Sequence, residues 1–364
     1  MREWFAEWFM TVFGEYKSFG LFAFLFGIGL AVQMDRMESR GVRFAPRWLL
    51  RMGVLWLIGF AHRMLLWGNH DILMYYAATG CVLLLFRKLS HRALLACVCV
   101  ALVFGLSRGT VIRSVNRAFP VSEVDRSARQ HLDKQEGQLA KNGSYAENVA
   151  YRFEDFRSYY PSRRPALGMV LNGMVPMFLA GLYVVRRGIL RDITAHAWLL
   201  RRVLWTGLPL GLLLSYFSVP VPKPLPFPQV QLAPPVRELL VQPAFVLLSL
   251  SYACGLALLF QRPPWRRWLL LFAPVGRLGL SNYVMQSFIM TSIYCGYGLA
   301  LYGKVDSVQA VFLAAGVIAA QILISSLILR RFRYGPLEWA WRSLAYPRWR
   351  LSSGGPATRK MPSP

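Results

Sequence analysis

Blocks of apolar residues, each about as long as a bilayer is thick, constrain this chain more than any other feature. Candidate crossings lie at 18–34, 48–67, 72–86, 91–106, 165–185, 198–217, 238–260, 279–302 and 307–329. A helix rises about 1.5 Å per residue, so roughly 20 apolar residues span the hydrocarbon core. Inside that core the backbone has no water to bond, and a helix satisfies its own N–H and C=O groups. The sequence therefore predicts an all-α polytopic bundle of about nine transmembrane helices, with the lipid bilayer as its first partner. Composition agrees: 55% of the residues are hydrophobic, against about 45–50% in a soluble domain.

A formal net charge of +25 would suggest nucleic acid if it covered a soluble domain. Its distribution argues otherwise. Arg and Lys crowd the loops 35–47, 87–92, 186–202 and 261–267 and the segment from Arg330, while the alternate short loops 68–71, 219–235 and 302–307 hold few. Such asymmetry marks the cytoplasmic side of a membrane protein. The basic set and the C-terminus are thus expected in the cytoplasm, and no nucleic-acid partner is expected. The long loop is basic too, but its arginines are interleaved with carboxylates such as Glu123, Asp125 and Asp133. Long loops count little in the orientation rule.

The chain divides into an N-terminal transmembrane region (1–106), an extracytoplasmic loop (107–164), a C-terminal transmembrane domain (165–350) and a disordered tail (351–364). Recurring aromatics in the loop (Tyr151, Phe153, Phe156) suit a pair of surface helices capping the outer face. WRRWLLLFAPVGR (265–277) and RRFRYGPLEWAWRSLAYPRWR (330–350) mix Trp with Arg, as elements lying at the headgroups do. The five cysteines all fall inside apolar blocks without a CxxC pair. They are expected to pack as small hydrophobes.

One oily stretch carries unexpected polarity: GFAHRMLLWGNHDILMYYAATG (59–80). Ionisable side chains in a bilayer are costly and normally face the bundle interior. His62 is a candidate general base, or else a hydrogen-bonding link between helices. Asp71 opens the next helix, where a carboxylate caps free N–H groups; alternatively it orients a histidine. His62, His70 and Asp71 lack the H-x-x-x-H spacing of a helical metal pair, so no metal is expected. A second constellation combines Arg277 with Asn282 and Gln286, which share a helix face at i, i+4. It would hold a phosphate-bearing donor or link helices. In LFGIGL, Gly27 and Gly29, with Gly20 nearby, read as close helix packing. No Walker, GxSxG or HExxH motif occurs, which leaves ATPase, serine hydrolase and zincin without support.

Four stretches, in order, resemble the YeiB-like family of bacterial integral membrane proteins, whose C-terminal half is known as domain of unknown function 418. They are YKSFGLFAFLFGIGLAVQM (16–34), the 59–80 stretch above, VGRLGLSNYVMQSFIMTSIYCGYGL (275–299) and RRFRYGPLEWAWRSLAY (330–346). The runs G-R-x-x-L-x-N-Y-x-x-Q (Gly276 to Gln286) and F-R-x-G-P-x-E-W (Phe332 to Trp339) carry the likeness most specifically. The family's architecture is similar to the membrane acyltransferase superfamily, the acyltransferase-3 clan. The resemblance therefore implies a bacterial cytoplasmic membrane protein moving an acyl group from a cytoplasmic donor to an extracytoplasmic glycan or lipid acceptor. It implies no tightly bound cofactor, with acyl-CoA or a similar donor as co-substrate. His62 and Asp71 would be catalytic, and Arg277, Asn282, Gln286 and Trp67 would hold donor or substrate. A transporter of a small metabolite and a non-catalytic membrane protein are the alternatives.

Two departures follow from the likeness. The family opens with a helix bearing an L-D-x-x-R-G-like motif, so this chain is expected to lack that first helix. Related acetyltransferases carry their histidine in the loop after it, and residues 1–17 contain none. The family also reads H-x-x-L-x-W-x-G-D-I-L, whereas Gly68, Asn69 and His70 stand between Trp67 and Asp71 here, one residue more.

Overall fold

The computed structural model describes residues 10–14, 17–41, 43–67, 71–120, 123–158, 174–218 and 232–345. Every regular element among them is helical. Among the described residues, five helices are long and apolar enough to cross a membrane: Met10–Glu38, Phe44–Leu66, Ala197–Ser218, Pro234–Phe260 and Ser307–Arg331. Leu73–Phe86, His91–Leu106 and Met174–Arg186 are shorter apolar helices. The tail 351–364, Asn69 and His70 lie outside the described residues.

The helices relevant to the site are α1 (Lys17–Glu38), α2 (Phe44–His62), α3 (Leu73–Val82), α4 (His91–Leu106), α5 (Arg108–Ala118), α6 (Glu123–Asn142), α7 (Tyr145–Ser158) and α8 (Met174–Arg186). They continue as α9 (Ala197–Ser218), α10 (Pro234–Phe260), α11 (Pro263–Leu270), α12 (Ala273–Arg277), α13 (Gly279–Tyr294), α14 (Ser307–Arg331) and α15 (Pro336–Ala345). The crossing expected at 279–302 is shorter than its apolar run suggests. Helix α13 ends at Tyr294, and the chain reverses so that Leu299 N–H donates to the Ser292 carbonyl at 2.9 Å and Tyr302 N–H to the Tyr294 carbonyl at 3.0 Å. Gly298 permits the reversal, because a Cβ there would overlap the Ser292 carbonyl.

The core gathers Phe24, Leu30, Trp48, Met52, Tyr76, Phe178 and Leu182 from α1, α2, α3 and α8. Helices α1 and α8 cross at backbone contact. A Cβ on Gly27 would overlap the Phe178 carbonyl, and one on Gly181 the Phe24 carbonyl. Gly20 similarly admits Ser249 of α10. Gly29 does not share this role: a Cβ there would meet only Gln33 of its own helix, at 4.0 Å. Two residues on from Gly27 is about 200° around a helix, which turns Gly29 away from the crossing.

The outward faces of α9 and α14 present Trp205, Leu213, Phe312, Leu323 and Leu327. A patch this apolar suits lipid rather than water. Three of the basic loops meet at one end of the bundle, where Arg186 donates to the Leu89 carbonyl at 2.9 Å and Arg191 lies 3.7 Å from Asp35. Helix α15 packs against the first turns of α2 and α13. Trp341 donates to the Arg51 carbonyl at 2.9 Å, and Glu338 accepts from the Ser281 N–H at 2.9 Å and from its hydroxyl. This explains the F-R-x-G-P-x-E-W run: its glutamate caps the start of α13. Helices α11 and α12 bury no residue, and Trp265, Trp268 and Phe272 are exposed beside their arginines.

Candidate functional site

The site forms where α2 ends, α3 begins and the middle of α13 passes between. Gly59 and His62 stand about one helical turn apart on α2, on the same face. A Cβ at Gly59 would lie 2.8 Å from Met74 N and 2.9 Å from Asp71 Oδ2. Its absence lets the start of α3 press against α2, and this brings Asp71 to His62. Past His62 the helix loosens into a π-turn over Arg63–Trp67.

Both nitrogens of His62 are engaged. Nδ1 lies 2.9 Å from Asp71 Oδ1, and Nε2 lies 2.8 Å from Ser287 Oγ. His62 is 4% exposed and Asp71 2%, so this pair is buried in the interior. Asp71 Oδ2 accepts from Met74 N–H at 3.0 Å, and Oδ1 also accepts from the Tyr283 hydroxyl at 3.3 Å. One oxygen of Asp71 therefore caps α3 while the other meets the imidazole. The Tyr283 hydroxyl accepts from Ile72 N–H at 3.3 Å, and its ring centroid lies 4.8 Å from that of His62.

For a neutral imidazole, these contacts favour one tautomer. A carboxylate on three donors asks for the proton of His62 to sit on Nδ1, since a lone pair there would face another lone pair. Nε2 then keeps its lone pair, and the Ser287 hydroxyl donates to it. Chemically, this is a base with an orienting carboxylate behind it and a hydroxyl in front. We expect Gly59→Ala to displace Asp71 and lower stability by about 1–3 kcal/mol, the usual cost of overpacking. Thermal unfolding in detergent checks this, and a variant as stable as the parent would contradict the close approach.

A helical hairpin, α6–α7, closes this end of the bundle. Arg63, next to His62, pairs with Asp155 of α7 at 2.9 Å, both side chains almost fully buried. Arg152 donates to the Leu65 carbonyl at 3.0 Å, the rings of Phe60 and Phe156 meet edge to face at 5.2 Å, and Gly296 N–H donates to the Ala140 carbonyl at 2.8 Å. A capping box starts α7: Ser144 N–H donates to Glu147 at 2.8 Å, and Glu147 N–H to the Ser144 hydroxyl at 3.3 Å. The Ser144 N–H and hydroxyl hold the Glu147 carboxyl below its usual range. Removing one partner of a buried ion pair costs about 3–5 kcal/mol. Asp155→Ala should therefore loosen the hairpin, read as faster hydrogen exchange over 145–158 with the rest of the bundle unchanged.

The other sequence-picked residues fall elsewhere. Asn282 is buried against α14, donating to Ser325 Oγ at 2.9 Å and to the Val275 carbonyl at 3.1 Å, while its own backbone carbonyl accepts from Gln321 at 3.0 Å. Arg277 and Gln286 are exposed. The side chain of Trp67 lies outside the described residues. Among the described residues, no three His, Cys, Asp or Glu side chains gather into a group that could hold a metal. Ser287 and Gly59 are not singled out by the sequence. The available signal is the i, i+4 spacing of Tyr283 and Ser287, one residue on from the more conspicuous Asn282 and Gln286.

The family described as "Protein of unknown function (DUF418)" matches residues 184–348. The uncharacterized protein YxaH of Bacillus subtilis (strain 168) is 33% identical over 354 residues, covering 93% of this chain and 82% of YxaH. The uncharacterized protein YeiB of Escherichia coli (strain K12) is 29% identical over 365 residues, 97% of this chain and 86% of YeiB. An uncharacterized 39.9 kDa protein in the amylase 3' region of Bacillus acidopullulyticus is 25% identical, over 93% of this chain and 83% of that protein. No solved structure matches. With a relative this similar along nearly its whole length, the chain belongs to the YeiB-like DUF418 family of membrane proteins.

Proposed function

We propose that this chain is a membrane-embedded acyltransferase, moving an acyl group from a cytoplasmic CoA-type donor to an extracytoplasmic glycan or lipid acceptor. The observation that carries this reading is the buried His62 with a carboxylate on one nitrogen and a hydroxyl on the other. Acyl transfer to a hydroxyl needs a base that removes one proton and returns it, held in one tautomer by a third group. His62 is that base and Asp71 its orienting partner. Arg277 and Gln286 form the donor-side clamp, while Asn282 positions α13 against α14. Arg277 ends α12 just before α13 begins, and Ser287 stands about eight residues into α13, about 12 Å of helix rise. The basic loops face the cytoplasm, the 107–164 loop faces outward, and the three shorter apolar helices together with α13 bring the five long ones to about nine crossings.

The test compares cells carrying the parent and His62→Ala proteins at matched membrane levels after feeding with radiolabelled acetate. Acyl label in envelope glycan or lipid should fall to background in the variant. A buried His–Asp pair also suits proton-coupled transport, since such pairs serve as proton relays in membranes. Unchanged envelope acylation with a lost proton-driven uptake would select that second reading.

A further inference from the structure

We infer that Ser287 is a covalent nucleophile, so that the acyl group is carried as an ester on its Oγ between donor and acceptor. The inference rests on the acyl-transfer reading of the same site and deepens it. Serines elsewhere in this bundle donate to backbone carbonyls, Ser215 to Val12, Ser249 to Lys17 and Ser251 to Val203, or to acceptor side chains, Ser281 to Glu338 and Ser325 to Asn282. Ser287 lies 3.3 Å from the Tyr283 carbonyl of its own helix, but its nearer partner is an imidazole nitrogen at 2.8 Å, and a carboxylate sits behind that imidazole at 2.9 Å. Nucleophile, base and orienting acid in that order are the parts that activate a serine, whatever the fold. Location fits as well. His62 and Asp71 are sealed in the interior, whereas Ser287 is half-buried between the exposed Gln286 and Phe288. A hydroxyl at that border is reachable while its base stays dry.

The chemistry balances with these groups alone and the named co-substrates. Ser287 Oγ attacks the thioester carbonyl, forming a C–O bond as its proton passes to His62 Nε2. The C–S bond then breaks, and the leaving thiolate takes that proton as a free thiol. An acceptor hydroxyl attacks the Ser287 ester next. Its proton goes to Nε2, and the departing Ser287 oxygen recovers it. Asp71 stays the acceptor of the Nδ1 proton throughout.

The test uses the full chain in lipid nanodiscs with a fluorophosphonate probe, which breaks its P–F bond, bonds phosphorus to an activated serine oxygen and releases fluoride. Peptide mapping should find the adduct on Ser287. Labelling should disappear in Ser287→Ala and slow by about 10⁴-fold in His62→Ala, the scale on which disabling the base acts in the serine triad. Ser287→Cys is the second variant: iodoacetamide should alkylate it at least about tenfold faster with His62 present than in the double variant His62→Ala/Ser287→Cys, since an adjacent base raises the thiolate fraction. Absence of an adduct on Ser287 in protein with parental thermal unfolding would overturn the inference, as would labelling at equal rates in His62→Ala. His62-dependent release of CoA at full rate in Ser287→Ala would also overturn it, while keeping direct acyl transfer. An adduct on Ser287 without turnover of any acyl-CoA would keep the nucleophile and remove the proposed donor.

Discussion

Gly27→Val is expected to abolish assembly of the bundle. A Cβ at this position overlaps the backbone carbonyl of Phe178, and the neighbouring contact is backbone on both helices. Ordinary overpacking costs about 1–3 kcal/mol because side chains can rotate aside. No rotamer relieves a clash with a carbonyl, so α1 and α8 must separate. Separation opens the core around Phe24, Phe178 and Leu182, and the cost belongs with the exceptional changes of more than about 4–5 kcal/mol. Gly29→Val is the internal control, since that position meets only its own Gln33. Fluorescence-detected size exclusion of detergent extracts should show a monodisperse peak for Gly29→Val and none for Gly27→Val. Equal peaks would show that α1 and α8 do not cross this closely.

Asp71→Asn is expected to leave the fold standing and remove turnover. The amide oxygen can still cap α3 through Met74 N–H, as the carboxylate does at 3.0 Å. The amide nitrogen, however, is a donor, and facing His62 it selects the tautomer with the proton on Nε2. The lone pair then points at the substituted side chain, and Ser287 loses its base. In the serine triad the equivalent exchange lowers kcat by about 10⁴-fold through this tautomer switch. A fall of about 10³–10⁴-fold in kcat is expected here by the same switch, with KM little changed because the substituted group touches no substrate. Stability should drop by only about 1–3 kcal/mol, the range for a charged hydrogen bond exchanged for a neutral one. A variant with parental kcat would show that Asp71 serves only as a helix cap.

Much of this arrangement is legible in the residues, and what is hidden has physical causes. The long apolar blocks are visible because lipid demands both length and composition together. His62 and Asp71 stand out since charge-capable groups are rare in such blocks. That they meet depends on Gly59, whose role comes from a helix approach that no spacing in 59–80 reveals. Ser287 is inconspicuous for another reason. A serine in a membrane helix usually satisfies itself on the preceding turn, and Ser287 does lie 3.3 Å from the Tyr283 carbonyl. Its second partner is 225 residues away in sequence. The end of α13 is masked because Tyr297, Leu299 and Leu301 continue the apolar run through a reversal that Gly298 makes possible. Among the glycines of LFGIGL, composition marks Gly27 and Gly29 alike. Only the helical angle between them separates the packed one from the open one.

If the buried His62–Asp71 pair drives acyl transfer, CoA release reports on it most directly. Purified protein in lipid nanodiscs is incubated with acetyl-CoA and an envelope lipid extract, and free thiol is followed over time. Steady release is predicted for the parent, lowered about 10²–10⁴-fold in His62→Ala, as loss of a general base requires. Release that is the same in His62→Ala, or no greater than with empty nanodiscs, would contradict that role for the pair.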